Sequence, residues 1–524
     1  MGLISFGVFM RWRLFCWIVV GLAAIHVAPI WGFNYFPSQD GPAHIASAYV
    51  LRHYLDPASH FSLYYSINLT PVPTWLPHAT LALLMLVVDP LLAEKVLLTG
   101  YVVIFVLSMY YYLRSFGEDQ VFFLTLAFPF LYNYFFHMGF YGFAFGIPLV
   151  FLILGYWWRH RGEGLRRDSL ITLNLLLVLL YFCHIVCQVI AVAFILLLAL
   201  LHYGRKIGRT VALSVSLGPS LVLPVYFILT RHAGRLSWAP FVDRLKWFLE
   251  LDALYYFDAR QRYLALAVTA AYGIALTGTL ILRMRQLRTL NLKGCRSCDS
   301  LFILSLFATF LYFVVPRRIY GGGGLAYRLI PFPYLAILQW LNLKPWKSLR
   351  IGVGTIAICV TVLQVGISTH YYHILNKGLH EYTSAIPLVE KNKTYLGISF
   401  DHKGESDRVQ SYRHASAYYS IATGAIDLGI YEADKGYFPL VYKAGLSPYQ
   451  TIGKIESTSG SLDLSRYPQS IDYLVVWKPK EFFPALPWIE ANYILQYSSD
   501  GLKLYEYSGS TRGSGHRSSD PGPK

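Results

Sequence analysis

The chain has 524 residues, of which 55% are hydrophobic and only 14% are charged, and its mean hydropathy of +0.42 excludes a water-soluble domain of this length. The net charge of +16 falls before residue 371, because the rest of the chain balances Lys and Arg against Asp and Glu. These basic residues occupy short segments between apolar stretches, which excludes a nucleic-acid-binding face and indicates a multi-pass membrane protein with basic cytoplasmic loops.

Apolar stretches long enough to approach or cross a bilayer predict an α-helical membrane domain over residues 1–372. The apolar segments lie near residues 14–31, 76–88, 91–113, 120–136, 139–158, 170–186, 187–203, 208–230, 263–283, 300–315, 329–341 and 350–372. Five basic clusters between them are predicted to face the cytoplasm: Arg11 and Arg13; Arg159, Arg161, Arg166 and Arg167; Arg205, Lys206 and Arg209; Arg283 through Arg296; and Lys344, Lys347 and Arg350.

The segment around Pro129 and residues 133–137 is predicted to be broken or re-entrant. Between the first outer loop, residues 32–75, and the basic cluster at Arg159 the chain must cross an odd number of times, yet four apolar segments lie there. Non-helical backbone is tolerated at membrane depth only where protein or a cavity surrounds it. Three crossings in this region give about eleven transmembrane helices, with the N-terminus in the cytoplasm and the C-terminus outside it.

After Tyr372 the chain becomes polar, rich in Tyr and strand-like, notably near residues 473–477 and 493–497. This pattern predicts a soluble extracytoplasmic α/β domain over residues 373–507. The final residues 508–524 are rich in Gly, Ser and Pro and are predicted to be disordered.

Asp40 lies in the segment 39–44, directly after the first apolar span, in a membrane half with few other acids. An ionisable group at a membrane face is costly, which marks it as a candidate functional residue. Asp40 can equally be the N-cap of a helix over residues 43–55 that lies on the membrane surface, with Pro42 in its first turn, and the two roles are compatible. As a functional group it would accept a proton or bind a divalent cation, and His44 would share its helix face.

A second outward segment carries Arg317, Arg318 and Tyr320 before the glycines 321–324, and then Arg328. Arginines outside the cytoplasm oppose the usual charge bias, so we predict that they bind a phosphate or diphosphate together with backbone amides that glycine leaves accessible. The alternative is a flexible glycine hinge whose arginines meet lipid headgroups.

Three further residues are weaker candidates for contacts with a sugar or an acceptor. His184 lies at the predicted outer end of its span, His137 lies in the broken segment, and Trp238 lies in the outer loop 231–262. An isolated histidine is more often a packed, hydrogen-bonded residue than a ligand, and aromatic residues at this level commonly belong to the interfacial belt.

On these residues and motifs the chain resembles the GT-C superfamily of membrane glycosyltransferases, which includes protein O-mannosyltransferases and aminoarabinose transferases. The resemblance rests on Asp40 after one span, the Pro-Val-Pro segment 71–73, Arg328 within 327–332, and the terminal motifs 472–477 and 501–506. It implies that Asp40 is a general base or a ligand of Mg²⁺ or Mn²⁺, and that Arg328 contacts the carrier phosphate.

The first outer loop departs from the pattern of this superfamily in one respect. Many of its members have two adjacent acids in this loop, whereas Asp40 is followed by Gly41. His44 is similar to the histidine of Asp-x-Pro-x-His loops in related bacterial membrane proteins.

The resemblance implies a hexosyl- or pentosyltransferase of the bacterial inner membrane. It would move a sugar from a polyprenyl-phosphate carrier to a lipid, glycan or protein acceptor outside the cytoplasm, in contact with membrane lipids and without nucleic acid. One alternative is a lipid-linked saccharide transporter or flippase, and another is an O-antigen-type ligase or polymerase. A flippase needs polar groups on both faces, and the conspicuous candidates lie on one, which favours an enzyme.

Overall fold

The computed structural model describes residues 2–163, 166–231, 236–288, 295–318, 323–456 and 462–511. Tyr320 and residues 512–524 of the predicted disordered tail lie outside these ranges. The chain forms two compact units. The helical unit comprises Met1–Phe33, Pro71–Pro77 and Lys95–Tyr371, and the α/β unit comprises Asn34–Thr70, His78–Glu94 and Tyr372–Lys524.

The α-helices are, in chain order, α1 (Gly2–Gly32), α2 (Gly41–His53), α3 (Phe61–Tyr64), α4 (Trp75–Leu84), α5 (Pro90–Arg114), α6 (Leu124–Ala127), α7 (Tyr134–His137), α8 (Tyr141–His160), α9 (Arg167–Cys183), α10 (Ile185–Tyr203), α11 (Ile207–Ser216), α12 (Gly218–Leu229), α13 (Phe241–Leu249), α14 (Gln261–Arg288), α15 (Cys295–Val314), α16 (Leu325–Arg328), α17 (Pro331–Ile337), α18 (Lys347–Tyr382), α19 (Ala417–Thr423), α20 (Glu432–Lys435), α21 (Pro448–Thr451), α22 (Leu486–Asn492) and α23 (Ser508–Thr511). The strands are β1 (Tyr65–Ile67), β2 (Thr394–Ser399), β3 (Ile426–Asp427), β4 (Leu440–Tyr442), β5 (Tyr473–Trp477), β6 (Tyr493–Ser498) and β7 (Leu502–Tyr507).

Within the described residues, six helices are long and apolar enough to cross a membrane: α1, α5, α8, α10, α14 and α18. The pair α11 and α12, bent by 64°, passes the same test as one broken span. Large apolar side chains such as Leu14 and Trp17 are exposed on α1, as expected for a helix that faces lipid. The chain is therefore a multi-pass membrane protein, and the count of about eleven spans stays a prediction.

The segment predicted to be broken is broken. Around Pro129, the chain forms the single turn α6, a 3-10 turn over Phe128–Phe130 and the single turn α7. The side chain of Asn133 caps α7 by accepting a hydrogen bond from the backbone N–H of Phe136 at 3.1 Å. Most of this segment is buried in protein, which is the condition under which irregular backbone is tolerated at membrane depth.

Two of the five basic clusters meet where α5 ends. Arg159 donates a hydrogen bond to the hydroxyl of Ser115 at 2.9 Å, and Lys344 pairs with Asp119 at 2.5 Å. Ser115 and Asp119 both follow α5 closely in the helical unit. These two clusters therefore lie on one face of that unit, as the positive-inside prediction requires.

Helices α8 and α9 approach each other closely at Gly142. A Cβ atom on Gly142 would lie 2.2 Å from the backbone carbonyl oxygen of Cys183, which is not a flexible side-chain end that can turn away. We expect Gly142→Ala to destabilise the protein by about 1–3 kcal/mol through this overlap. Gly100→Ala is the control, since Gly100 is helical with open space around its Cβ position, and it should be neutral or slightly stabilising. Thermal unfolding in detergent measures both, and an equal melting temperature for the two variants would contradict this packing.

The α/β unit is built on a five-stranded mixed sheet with the order β3-β2-β5-β7-β6. Strand β2 pairs in parallel with β3 and β5, while β7 pairs in antiparallel fashion with β5 and β6. The central strand β5 is buried on both faces, which explains its continuous apolar run. Separately, β1 from the first loop pairs with β4, with Tyr65 opposite Tyr442. The two strand-like runs identified in the sequence are β5 and β6.

Helix α2 is buried and does not lie on a membrane surface, contrary to the prediction. Residues Gly41 to Ala48 and Val50 are buried, and α2 packs against α19 within the α/β unit. The apolar residues of α2 do recur at helical spacing, but the face that they form packs against protein and not against lipid headgroups.

Asp427, at the end of β3, is a fully buried acid whose carboxylate accepts a hydrogen bond from the backbone N–H of Gly429 at 2.7 Å. Burial raises the pKa of Asp427 to about 7. Between pH 4 and 7 the folded protein therefore keeps a proton that the unfolded chain has lost, so stability falls as pH rises through this window.

We expect Asp427→Asn to remove this pH dependence, because the amide oxygen can still accept from Gly429 and carries no charge. The variant should gain up to about 4 kcal/mol over the parent at pH 8 and nothing at pH 4. Thermal unfolding at the two pH values measures the gain, with exposed Asp500→Asn as the control. A gain that does not depend on pH would show that Asp427 does not titrate as described.

Candidate functional site

Asp40 does not cap α2, although it occupies the N-cap position. Its carboxylate instead accepts hydrogen bonds from the side-chain amide of Gln39 and from the hydroxyl of Tyr431, both at 3.0 Å. Nε2 of His414 lies 3.6 Å from the same carboxylate, and the His414 ring stacks on Tyr431 with centroids 4.6 Å apart. The structure therefore rejects capping as the explanation of this residue and surrounds it with polar groups from residues 414–431.

The electrostatic setting of Asp40 favours a proton acceptor. The residue is only 6% exposed, and burial raises the pKa of its carboxyl, against the opposing effects of His44, Gln39 and Tyr431. Burial also lowers the pKa of His414 well below its usual value, so this neighbour is uncharged. A carboxylate with a raised pKa binds a proton more readily, which is the property that a general base needs near neutral pH.

Next to Asp40 in the chain, His44 belongs to a second buried cluster with His78 and Glu432. Nε2 of His78 lies 3.0 Å from Oε2 of Glu432, Nδ1 of His44 lies 3.2 Å from Nε2 of His78, and Nδ1 of His44 contacts Oε1 of Glu432. Ser47 donates a hydrogen bond to Oε2 of Glu432 at 2.6 Å. None of the three cluster residues is more than 7% exposed.

This cluster can hold a metal ion. One ligand atom from each of His44, His78 and Glu432 lies within 4.8 Å of the other two. Two imidazole nitrogens facing each other and a carboxylate at contact distance can share protons or share a cation. Burial alone would raise the pKa of Glu432, but the two histidines outweigh burial and hold that pKa well below its usual range.

Two histidines and one glutamate form a donor set that suits Zn²⁺, whereas Mg²⁺ prefers oxygen ligands and Mn²⁺ prefers carboxylates, carbonyls and water. Asp40 as a metal ligand stays a prediction.

In the helical unit, Arg328 meets His184. A guanidinium N–H of Arg328 lies 2.9 Å from Nε2 of His184, and the same guanidinium lies 4.5 Å from the ring centroid of Phe140. Arg328 is half-buried, whereas Arg317 and Arg318 are exposed in the loop that precedes α16. The side chains of Arg328 and His184 are therefore in direct contact. The sequence analysis had assigned them different roles, a contact with the carrier phosphate for Arg328 and a contact with a sugar or acceptor for His184.

The remaining candidates occupy different settings in the same unit. His137 is fully buried, stacks on Tyr256 with ring centroids 4.0 Å apart and hydrogen-bonds through Nδ1 to the carbonyl of Asn133 at 2.9 Å. This setting favours the packed-histidine alternative. Trp238 is 57% exposed and donates from its indole N–H to the carbonyl of Val314 at 3.1 Å.

The sequence analysis did not single out His78, His414, Tyr431 or Glu432 as functional candidates. Glu432 lies 354 positions after His78 in the chain. It stands in a short, charged stretch that resembles a solvent-exposed turn, so no local pattern marks it. Only the fold brings these groups to the first loop.

The comparison with solved structures confirms the fold that the resemblance described above implies. The chain is similar to the crystal structure of ArnT from Cupriavidus metallidurans bound to undecaprenyl phosphate, with a TM-score of 0.57 over 94% of this chain and 98% of that chain. The two sequences are 10% identical, so the likeness concerns the fold alone. No protein-family model and no curated protein sequence matches the chain.

Proposed function

We propose that this protein is a glycosyltransferase of the bacterial inner membrane that moves a hexosyl or pentosyl group from a polyprenyl-phosphate carrier to a lipid, glycan or protein acceptor outside the cytoplasm. The observation that carries the proposal is Asp40, a buried carboxylate that caps no helix and has a raised pKa. The undecaprenyl phosphate bound to ArnT, which has a similar fold, supports the class of carrier.

In the α/β unit, we assign to Asp40 the removal of a proton from the acceptor hydroxyl. The hydroxyl oxygen then forms a bond to the anomeric carbon of the sugar, and the bond from that carbon to the carrier phosphate oxygen breaks. Gln39 and Tyr431 hold the carboxylate in place through the two hydrogen bonds described above. His44, four residues after Asp40, is assigned to the same step because it interacts electrostatically with this carboxylate.

In the helical unit, we assign the carrier phosphate to Arg328, with Arg317, Arg318 and Tyr320 as further contacts. A guanidinium offers several N–H donors in a planar array, which suits the oxygens of a departing polyprenyl phosphate. Stabilising the charge that builds on this leaving group lowers the barrier to transfer. His184 and Trp238 are proposed contacts of the sugar or acceptor.

We also infer that a divalent metal belongs to the site, held by His44, His78 and Glu432, and that it is Zn²⁺ rather than the Mg²⁺ or Mn²⁺ expected from the sequence. When bound, the ion would supply positive charge and a fixed link between the ligand residues. Asp40 and the residues that hold it perform the proton transfer described above.

The proposed topology follows the basic clusters, with the N-terminus in the cytoplasm, a membrane domain over residues 1–372, and residues 373–507 forming a domain outside it. The meeting of two basic clusters near the end of α5 supports this assignment.

The test is a transfer assay with purified protein in lipid nanodiscs and polyprenyl-phosphate sugars labelled in the sugar. We expect release of free polyprenyl phosphate together with label on an added membrane-lipid or glycan acceptor. A parallel assay in sealed vesicles measures movement of the intact labelled lipid across the bilayer. Movement without cleavage would contradict an enzyme and support the flippase, whereas label appearing in long repeats of one glycan would support the ligase or polymerase alternative.

A further inference from the structure

A cavity of about 120 Å³ lies in the helical unit, where the chain leaving α5 meets the first turn of α18. This volume exceeds the ~30 Å³ that one water molecule occupies in the liquid, so the cavity has room for a small polar group. Its walls include three apolar side chains and three charged ones: Phe116, Phe123, Leu343, Asp119, Lys344 and Arg350. None of these residues has a part in the proposed transfer reaction.

The charges in the cavity do not balance. Lys344 and Asp119 form an ion pair at 2.5 Å, which leaves the charge of Arg350 in excess. The Arg350 guanidinium lies 4.4 Å from the ring centroid of Phe122. In the described part of the chain, its side chain donates no hydrogen bond, although Asp119 attracts it. A guanidinium facing a cavity with unused donors is suited to an anionic oxygen ligand.

The first turn of α18 points to the same conclusion independently. This helix of 36 residues begins at Lys347 and has no acidic residue in its first turn. The N-terminal end of a helix carries partial positive charge and free N–H groups, so cations placed there are unfavourable unless anions balance them, and the nearby Asp119 is already paired with Lys344. An anion bound beside Arg350 would satisfy both the helix end and the side chain.

The position of the cavity indicates where such an anion comes from. Both α5 and α18 are long enough and apolar enough to span a membrane, and the cavity lies at their ends. The basic residues Arg159 and Lys344 meet the chain just after α5, on the face that we assign to the cytoplasm. Cationic pockets between helix ends on that side are suited to the headgroups of anionic phospholipids.

We propose that this cavity binds the phosphodiester headgroup of an anionic phospholipid from the cytoplasmic leaflet. The phosphate oxygens accept hydrogen bonds from Arg350. The single negative charge of the phosphodiester offsets the excess positive charge of the cavity. Lys344 remains shared between Asp119 and the ligand, while Phe116, Phe123 and Leu343 adjoin the glycerol part of the lipid. The cytoplasmic assignment rests on the proposed topology, but the binding itself does not depend on the proposed transfer activity.

The experiment compares lipids retained by the purified full-length protein and by two variants, Arg350→Gln and Lys344→Gln. Native mass spectrometry counts the phosphatidylglycerol that stays bound, with phosphatidylcholine as the neutral comparison. We expect retention of phosphatidylglycerol to fall about tenfold or more in Arg350→Gln, as for loss of a charge-assisted hydrogen bond, and to fall less in Lys344→Gln. Arg209→Gln is the matched control, since Arg209 is an exposed cation of another predicted cytoplasmic cluster and does not line the cavity.

A second arm adds inorganic phosphate to delipidated protein and measures thermal unfolding beside a sample given phosphatidylglycerol. Stabilisation by phosphatidylglycerol that is lost in Arg350→Gln supports the proposal. Stabilisation by inorganic phosphate alone would overturn the lipid assignment in favour of a free anion. Equal retention by Arg350→Gln and Arg209→Gln, with both variants folded, would overturn the site itself.

Discussion

Replacement of Asp40 by Asn should lower the rate of sugar transfer by about 10²- to 10⁴-fold, the range that removal of a general base produces. The amide has nearly the size of the carboxyl and can still accept a hydrogen bond from Gln39 or Tyr431, so the local structure should persist. It cannot take a proton from the acceptor hydroxyl. Initial rates with labelled polyprenyl-phosphate sugar, measured on folded protein of equal melting temperature, give the effect.

Asp56→Asn is the matched control for this variant. Asp56 belongs to the same loop and the same α/β unit, and its carboxylate accepts a hydrogen bond from the backbone N–H of Ala58 at 2.9 Å. It is too exposed to act in a dry site, so its variant should transfer sugar at the parent rate. Undiminished transfer by Asp40→Asn would remove Asp40 from the mechanism and leave the proposed transfer reaction without its assigned base.

The second large effect concerns metal content. Purified protein should contain about one Zn²⁺ per chain, and His78→Ala should lose it, because a site with two histidines and one carboxylate cannot keep its affinity after losing one ligand. Elemental analysis of the protein measures the ion directly and does not depend on activity. Replacement of Zn²⁺ by Co²⁺ should give visible absorption that reports the coordination of the ion by nitrogen and oxygen donors.

The control for the metal site is His53→Ala. His53 lies in the same helix α2 as His44, but it approaches the partly exposed Asp56 and not the cluster. Its variant should retain the metal fully. If the parent protein carries no metal after purification without chelators, and added Zn²⁺ does not raise its melting temperature, then His44, His78 and Glu432 form a buried hydrogen-bonded cluster and the metal assignment is wrong.

A small set of local patterns sufficed to predict much of the membrane part of the fold. The long apolar runs became helices such as α5, α10 and α14, because an uninterrupted run of this length has few other stable states in a bilayer. The interruption around Pro129 was also visible, since proline disfavours the interior of a helix and asparagine favours a position just before a new one. Asp40 was recognisable as a candidate because an acid next to an apolar span is costly.

The structure decided what surrounds that acid. A sequence cannot tell an N-cap from a functional carboxylate when both begin a helix, and only the position of Tyr431 shows that the Asp40 side chain points away from the cap. The prediction of a surface helix over 43–55 was wrong for a related reason. The apolar spacing reports that one face is buried, but it does not say whether lipid headgroups or α19 cover it.

The sequence by itself determined the membrane class, the basic clusters, the broken segment and the choice of Asp40 as a candidate, because hydropathy, charge and backbone preference are properties of neighbouring residues. The tertiary structure alone decided the composition of the site, which joins His44 to His78 and to Glu432, 354 positions after His78. Ligand atoms are assembled by packing between distant segments, and each of these residues taken alone has an ordinary neighbourhood in the chain.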